Sequence, residues 1–132
     1  IEASIAAKLG TVSIDGSLAW TDAAVQGKGA SAELDGNRPA QTPEFAGTLT
    51  LAWRPTAGWQ IAATLRHVSA QFEDDRETDS LQPATTIDAF FAVPLGSSWS
   101  AILRGENLGD AQIVTRNQAG SIDLGVPRTV WL

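Results

Sequence analysis

The chain has 132 residues, no cysteine, and nine basic against 15 acidic side chains, for a formal net charge of −6. The missing cysteines exclude disulfides, thiolate metal sites and cysteine nucleophiles, and the acidic balance argues against a phosphate-tracking nucleic-acid binder, which needs a clustered surplus of Lys and Arg. With 43% hydrophobic residues the chain can fold around apolar surface, yet no apolar run approaches the roughly 18 residues of a helical membrane span.

The pattern along the chain is that of strands. Ile1, Ala3, Ile5, Ala7 and Leu9 alternate with Glu2, Ser4, Ala6 and Lys8, a period of two that places the sets on opposite faces. After a Gly10-Thr11 turn, Val12, Ile14, Leu18 and Trp20 alternate with Ser13, Asp15, Ser17 and Thr21. Residues 23–42 then form a long loop of glycine, alanine and polar residues without a sustained period.

The clearest segment runs from Pro43 to Phe72. Phe45, Gly47, Leu49, Leu51 and Trp53 share one face against Ala46, Thr48, Thr50, Ala52 and Arg54. Beyond the Pro55–Gly58 corner, Trp59, Ile61, Ala63 and Leu65 face away from Gln60, Ala62, Thr64 and Arg66. This predicts a hairpin with one apolar and one polar face, each arm about as long as the roughly 9–11 residues of a tilted membrane-crossing strand.

A second long loop, residues 73–84, begins with Glu73, Asp74, Asp75, Glu77 and Asp79. The next strand sets Ile87, Ala89, Phe91 and Val93 against Thr86, Asp88, Phe90 and Ala92. A short turn leads to Trp99, Ala101, Leu103 and Gly105, which alternate with Ser100, Ile102, Arg104 and Glu106. A third long loop, residues 109–121, with a brief strand at Gln112–Thr115, precedes a last run from Ile122 to Leu132 whose facing is ambiguous.

Short and long connections thus alternate, as they do in up-and-down transmembrane barrels. Trp53, Trp59 and Trp99 fall at the short-turn end, and Trp20, with Phe45 and His67, at the long-loop end. On this reading the aromatics form two interfacial belts, the apolar faces meet lipid, and Glu2, Lys8, Thr48, Thr50, Thr64, Arg66, Asp88, Arg104 and Glu106 line a lumen, mostly as cross-strand pairs.

Catalytic and metal chemistry find little footing. His67 is the single histidine, so a multi-histidine site is excluded, and its position reads as interfacial. The acidic loop could collect a divalent cation, but it lacks EF-hand spacing and reads better as a solvated external loop. No Gly-x-Ser-x-Gly elbow and no phosphate-cradling loop occur. The expectation is a protein that is not an enzyme and carries no cofactor.

The final third carries a more specific signal. Arg104-Gly105-Glu106-Asn107-Leu108-Gly109-Asp110, followed by Gly125-Val126-Pro127-Arg128-Thr129-Val130-Trp131-Leu132, resembles the closing segment of TonB-dependent outer-membrane receptors. Asn37-Arg38-Pro39-Ala40-Gln41-Thr42-Pro43 is similar to a loop of that family entering an upstream strand.

The resemblance implies an all-β, antiparallel up-and-down transmembrane segment of roughly seven strands from a 22-stranded barrel. It also implies a bacterial outer-membrane protein that takes up a scarce solute such as a ferric siderophore, cobalamin or a glycan. Its partners would be outer-membrane lipid, the solute, and a TonB-type energy-coupling complex acting through an amino-terminal plug region upstream of Ile1. The chain, residues 1–132, accordingly reads as the carboxyl-terminal portion of a single barrel domain. Two other readings compete: a soluble antiparallel β-barrel or sandwich that binds a small molecule with its apolar faces inward, and, more remotely, a small outer-membrane enzyme.

Overall fold

The computed structural model describes residues 1–132, almost all of its regular structure being antiparallel strand. In chain order these are β1 (Glu2–Leu9), β2 (Val12–Trp20), β3 (Phe45–Trp53), β4 (Gln60–Val68), β5 (Gln71–Phe72), β6 (Ser80–Leu81), β7 (Ala84–Pro94), β8 (Ser100–Glu106), β9 (Val114–Gln118), β10 (Ser121–Leu124) and β11 (Thr129–Trp131). One 3₁₀ segment, Gly29–Leu34, lies between β2 and β3.

Seven strands make one sheet in the order β1-β2-β3-β4-β7-β8-β11, a meander in which every strand lies beside its predecessor. The remaining four form two hairpins, β5 with β6 and β9 with β10, inside the long connections. The number and sequence of main strands agree with the seven expected.

Register carries the alternation unbroken across the sheet. Ile5 stands opposite Gly16, Gly16 opposite Leu49, Leu49 opposite Leu65 and Leu65 opposite Ile87. One residue along, Asp15, Thr50, Thr64 and Asp88 form the corresponding row. Because side chains alternate with period two, a matched register sends every apolar row to one face and every polar row to the other. The turn between β1 and β2 sets that register: Gly10 has φ +62°, the conformation that a two-residue II′ hairpin loop requires at its first position.

The sheet has no core of its own. Ala52 and Leu81 are the only buried hydrophobic residues, whereas Leu49, Leu51, Leu65 and Ile87 are 42–48% exposed. No second layer covers either face, and the sheet does not close on itself. A soluble sandwich or closed small barrel of this length would bury a substantial interior, so the architecture is that of an open arc of barrel wall.

The end of the chain differs from expectation. Ile122 does not begin the last strand: Ser121–Leu124 pairs with Val114–Gln118 in a hairpin, and only Thr129–Trp131 joins the sheet, against Arg104–Glu106. The hairpin closes through Ala119 and Gly120, with φ +50° and +82°, the double left-handed turn suited to twisted strands. Pro127 then lacks the N–H that a longer ladder would need. The pairing of Trp131 with Arg104 resolves the ambiguous facing by placing Trp131 on the polar face.

Candidate functional site

Register sets Glu2, Lys8, Thr48, Thr50, Thr64, Arg66, Asp88, Arg104 and Glu106 on one face of the sheet, and the last seven lie side by side on β3, β4, β7 and β8. The Thr50 and Thr64 hydroxyls are 2.9 Å apart across β3 and β4. Arg66 on β4 donates to the Asp88 carboxylate on β7. Asp88 also accepts the Asn107 backbone N–H at 2.9 Å. Arg104 donates to Glu106 at 2.6 Å and places its guanidinium 5.7 Å from the centre of the Trp131 ring, within cation–π range.

A shallow recess of about 240 Å³ lies among Thr64, Arg66, Asp88, Phe90, Arg104 and Glu106. Thr48 stands directly opposite Arg66 in register. Glu2 and Lys8 sit at opposite ends of β1, and no side-chain hydrogen bond or ion pair joins them to the cluster.

The opposite face carries no Asp, Glu, Lys or Arg on any strand of the sheet. Its aromatics gather at the two ends. Trp53, Trp59 and Trp99 flank the short turns, with Trp59 edge-on to Phe91 at 5.8 Å. At the long-loop end Trp20 pairs in register with Phe45, and the Phe45 ring lies 5.9 Å from that of His67. His67 Nδ1 is 2.8 Å from the Thr85 hydroxyl.

The three long connections meet at one end of the sheet, and the first two are stitched together. The Ala40 N–H donates to the Asp75 carboxylate at 2.6 Å, the Arg38 N–H to Glu77 at 2.8 Å, and the Asn37 side chain to the Asp75 carbonyl at 2.9 Å. The Gln41 N–H donates to the Phe72 carbonyl at 2.7 Å, and Arg76 pairs with Glu33 at 2.8 Å. The third connection touches this unit where the Asn117 N–H donates to Glu73 at 3.4 Å.

Within the acidic loop the Asp75, Glu77 and Glu73 carboxylates thus accept hydrogen bonds from other loops, and no three of its side chains converge as a metal site. Asp74 caps the turn. Its carboxylate accepts the Thr78 hydroxyl at 2.6 Å and the N–H groups of Arg76 and Asp79. The Thr78 bond, followed by the backbone donors, holds its pKa below the usual aspartate range against an opposing desolvation effect.

Sequence reasoning quoted Asn107 without seeing its role. It is 3% exposed and has φ +48°, a left-handed conformation that asparagine tolerates better than most residues. Its Nδ2 donates to the carbonyls of Ala111 and Val126 at 2.8 and 3.1 Å, and its Oδ1 accepts the Ala111 N–H at 2.9 Å. Leu108 folds back on Gly105, where an added Cβ would stand 2.6 Å from Leu108 Cδ2. Asp110 accepts the Arg128 N–H at 3.2 Å and faces its guanidinium at 3.6 Å. The two halves of the Asn-Leu…Pro-Arg signature are thus one clamp that closes the third long loop and launches β11.

An open antiparallel meander in constant register, with one uncharged face, one polar face, and loops long at one end only, defines the wall of a transmembrane up-and-down β-barrel. The family model "TonB dependent receptor-like, beta-barrel" matches residues 1–108. The chain belongs to that family.

Among curated proteins none matches the sequence. The solved structures that share the fold include the following three. The siderophore receptor PiuA from Acinetobacter baumannii aligns over 98% of this chain with TM-score 0.85 and 15% identity. BauA, the ferric preacinetobactin receptor of the same organism, aligns over 96% with TM-score 0.81 and 19% identity. The ferric citrate transporter FecA in its unliganded form aligns over 91% with TM-score 0.76 and 24% identity. In each case the chain spans 20% of the length of the matched protein.

Proposed function

We propose that residues 1–132 form the carboxyl-terminal wall of the single barrel domain of a bacterial outer-membrane receptor that imports a scarce solute. The observation that carries the reading is the confinement of every Asp, Glu, Lys and Arg on the seven strands of the main sheet to one face. An ionised side chain at the bilayer midplane costs about 2–4 kcal/mol for Arg or Lys, so an uncharged face is what lipid demands.

On this reading Glu2, Lys8, Thr48, Thr50, Thr64, Arg66, Asp88, Arg104 and Glu106 line the lumen, and Trp20, Trp53, Trp59 and Trp99 sit at the two membrane interfaces. The loops spanning 23–42, 73–84 and 109–121 face the cell exterior and contribute to solute contact. Energy comes from a TonB-type complex acting through a plug region outside this chain. The names of the structurally similar proteins, a siderophore receptor, a ferric preacinetobactin receptor and a ferric citrate transporter, favour a ferric chelate within the wider class of siderophores, cobalamins and glycans.

Cysteine scanning of the full-length receptor in intact outer membrane tests the facing. A membrane-impermeant maleimide is expected to reach Thr48→Cys and Thr50→Cys through the lumen and to spare Leu49→Cys and Leu51→Cys. The reverse pattern overturns the reading.

A further inference from the structure

Ile122, Leu124 and Val126, every second residue toward the end of the third long connection, are 55–57% exposed. On the main sheet such exposure is what lipid requires. These three lie among the loops beyond the sheet's long-loop end, where under the outer-membrane reading, on which this inference rests, the surroundings are water. Lipid does not account for them there, and a run of neighbouring apolar side chains outside the bilayer marks a surface that protein covers.

The backbone gives the form of that cover. Gln118 and Ser121 flank the Ala119–Gly120 turn as a hydrogen-bonded pair, the arrangement of a two-residue hairpin loop. At the other end, past a bulge between Asp123 and Leu124, the Gly125 N–H donates to the Ile113 carbonyl at 2.8 Å. Bonded and unbonded pairs alternate along an antiparallel ladder, so Ile122 and Leu124 turn their N–H and C=O groups away from β9. β10 has no other strand neighbour. It therefore presents a free edge with unpaired main-chain donors and acceptors and apolar side chains beside them, a template for one more strand.

The edge also has a direction. β5 and β6 rise from the connection between β4 and β7, and β9 and β10 from that between β8 and β11. β9 runs alongside β6, and its Asn117 N–H, on the edge away from β10, reaches Glu73 at 3.4 Å. The loop strands thus repeat the order of the strands beneath them, and the open edge of β10 faces the same way as the open edge of β11. Closing the barrel sets a further strand against β11, and the external connection of that strand is the backbone brought nearest to β10.

We infer that the Ile122–Leu124 edge pairs with an extended segment of that external connection, so that the loop strands bridge the barrel seam outside the membrane. The segment belongs to the same polypeptide, outside residues 1–132, which span 20% of the length of each matched structure. The pairing ties the third long connection to the far side of the seam, as hydrogen bonds within the chain already tie it to the second.

Photocrosslinking of the full-length receptor in intact outer membrane tests the bridge, with a benzoyl-phenylalanine at position 124 and peptide mapping of the product. The expected product is an intrachain link to the external connection of the strand that adjoins β11. Ile122→Pro removes an outward N–H and spares the bonds between β9 and β10. It lowers the yield by roughly tenfold, as loss of a main-chain bond with its partner left unpaired implies. Ile122→Thr keeps the N–H and the β-branched shape and retains the yield. A link to another protein, to a second copy or to any other part of the chain overturns the inference, as does equal yield in the two variants or no link at all.

Should the bulky probe disturb the hairpin, hydrogen exchange of the unlabelled receptor decides. The Leu124 amide exchanges roughly tenfold faster in Ile122→Pro than in Ile122→Thr if the edge is paired, and at the same rate in both if it is free. A receptor that fractionates away from the outer membrane refutes the function proposed above; one that resides there with a free β10 edge refutes only the bridge.

Discussion

Asn107 shows how much can rest on one side chain at the boundary between strand and loop. A buried amide that closes three hydrogen bonds cannot be replaced by an apolar residue without stranding their partners, at about 2–3 kcal/mol. Its positive φ adds a cost for alanine that asparagine largely avoids. In the full-length receptor Asn107→Ala is therefore expected to lower stability by about 2–3 kcal/mol and to expose residues 107–128 to protease. Asn107→Asp keeps the acceptor but turns a buried carboxylate oxygen toward the Ala111 and Val126 carbonyls, so it should destabilise at least as much as alanine at neutral pH. Wild-type protease resistance in Asn107→Ala would show that the clamp is dispensable.

At the scale of elements, the first two long connections behave as one body. Asp75 accepts the Ala40 N–H, Glu77 the Arg38 N–H, and Asp74 holds the turn from which both project. Because the Asp74 pKa is lowered in the folded loop, its ionised form stabilises that fold. This contribution is complete above the unfolded-state aspartate pKa near ~4 and disappears as pH falls through the lower folded value. Spin labels at the exposed positions Ala32→Cys and Gln82→Cys, one in each connection, should therefore gain mobility together on acidification through that window. Asp75→Ala should mobilise both at neutral pH. A label in one connection that loosens while the other stays fixed would mean that the two move independently.

Over the whole molecule, charge is segregated by depth. The main strands and short turns carry Glu2, Asp15, Asp88 and Glu106 against Lys8, Arg54, Arg66 and Arg104, which balance. The entire formal charge of −6 therefore lies in the three long connections. A surface field of one sign at the loop end steers diffusing ions. Asp22 and Asp79 contribute to it without a side-chain hydrogen bond to lose, so Asp22→Asn with Asp79→Asn changes the field and leaves the stitching intact. At low ionic strength the double variant is expected to raise the association rate of an anionic solute complex, and to lower that of a cationic one, by roughly twofold. The difference should vanish near 1 M salt, where the screening length falls to about 3 Å. Equal rates at low salt would place the encounter site elsewhere on the rim.

The sequence by itself determined the strands, their facing and the rhythm of their connections. Those depend on period-two alternation and on local turn residues such as Gly10, which are legible one neighbour at a time. It also displayed the Asn-Leu…Pro-Arg signature, so the family was within reach before any contact was known. What only the tertiary structure decided were matters of partnership between distant residues. Ile122–Leu124 alternates well enough to pass for the start of a terminal strand, and its placement in a loop hairpin depends on positive φ at Ala119 and Gly120. The acidic run looks like a cation site or free loop until Ala40, Arg38 and Asn37 arrive from the preceding connection to use it. Asn107 is one polar residue among many until Val126 lies beside it. Alternation is written along the chain, whereas hydrogen-bond partners are chosen across it, by a register that brings residues tens of positions apart into contact.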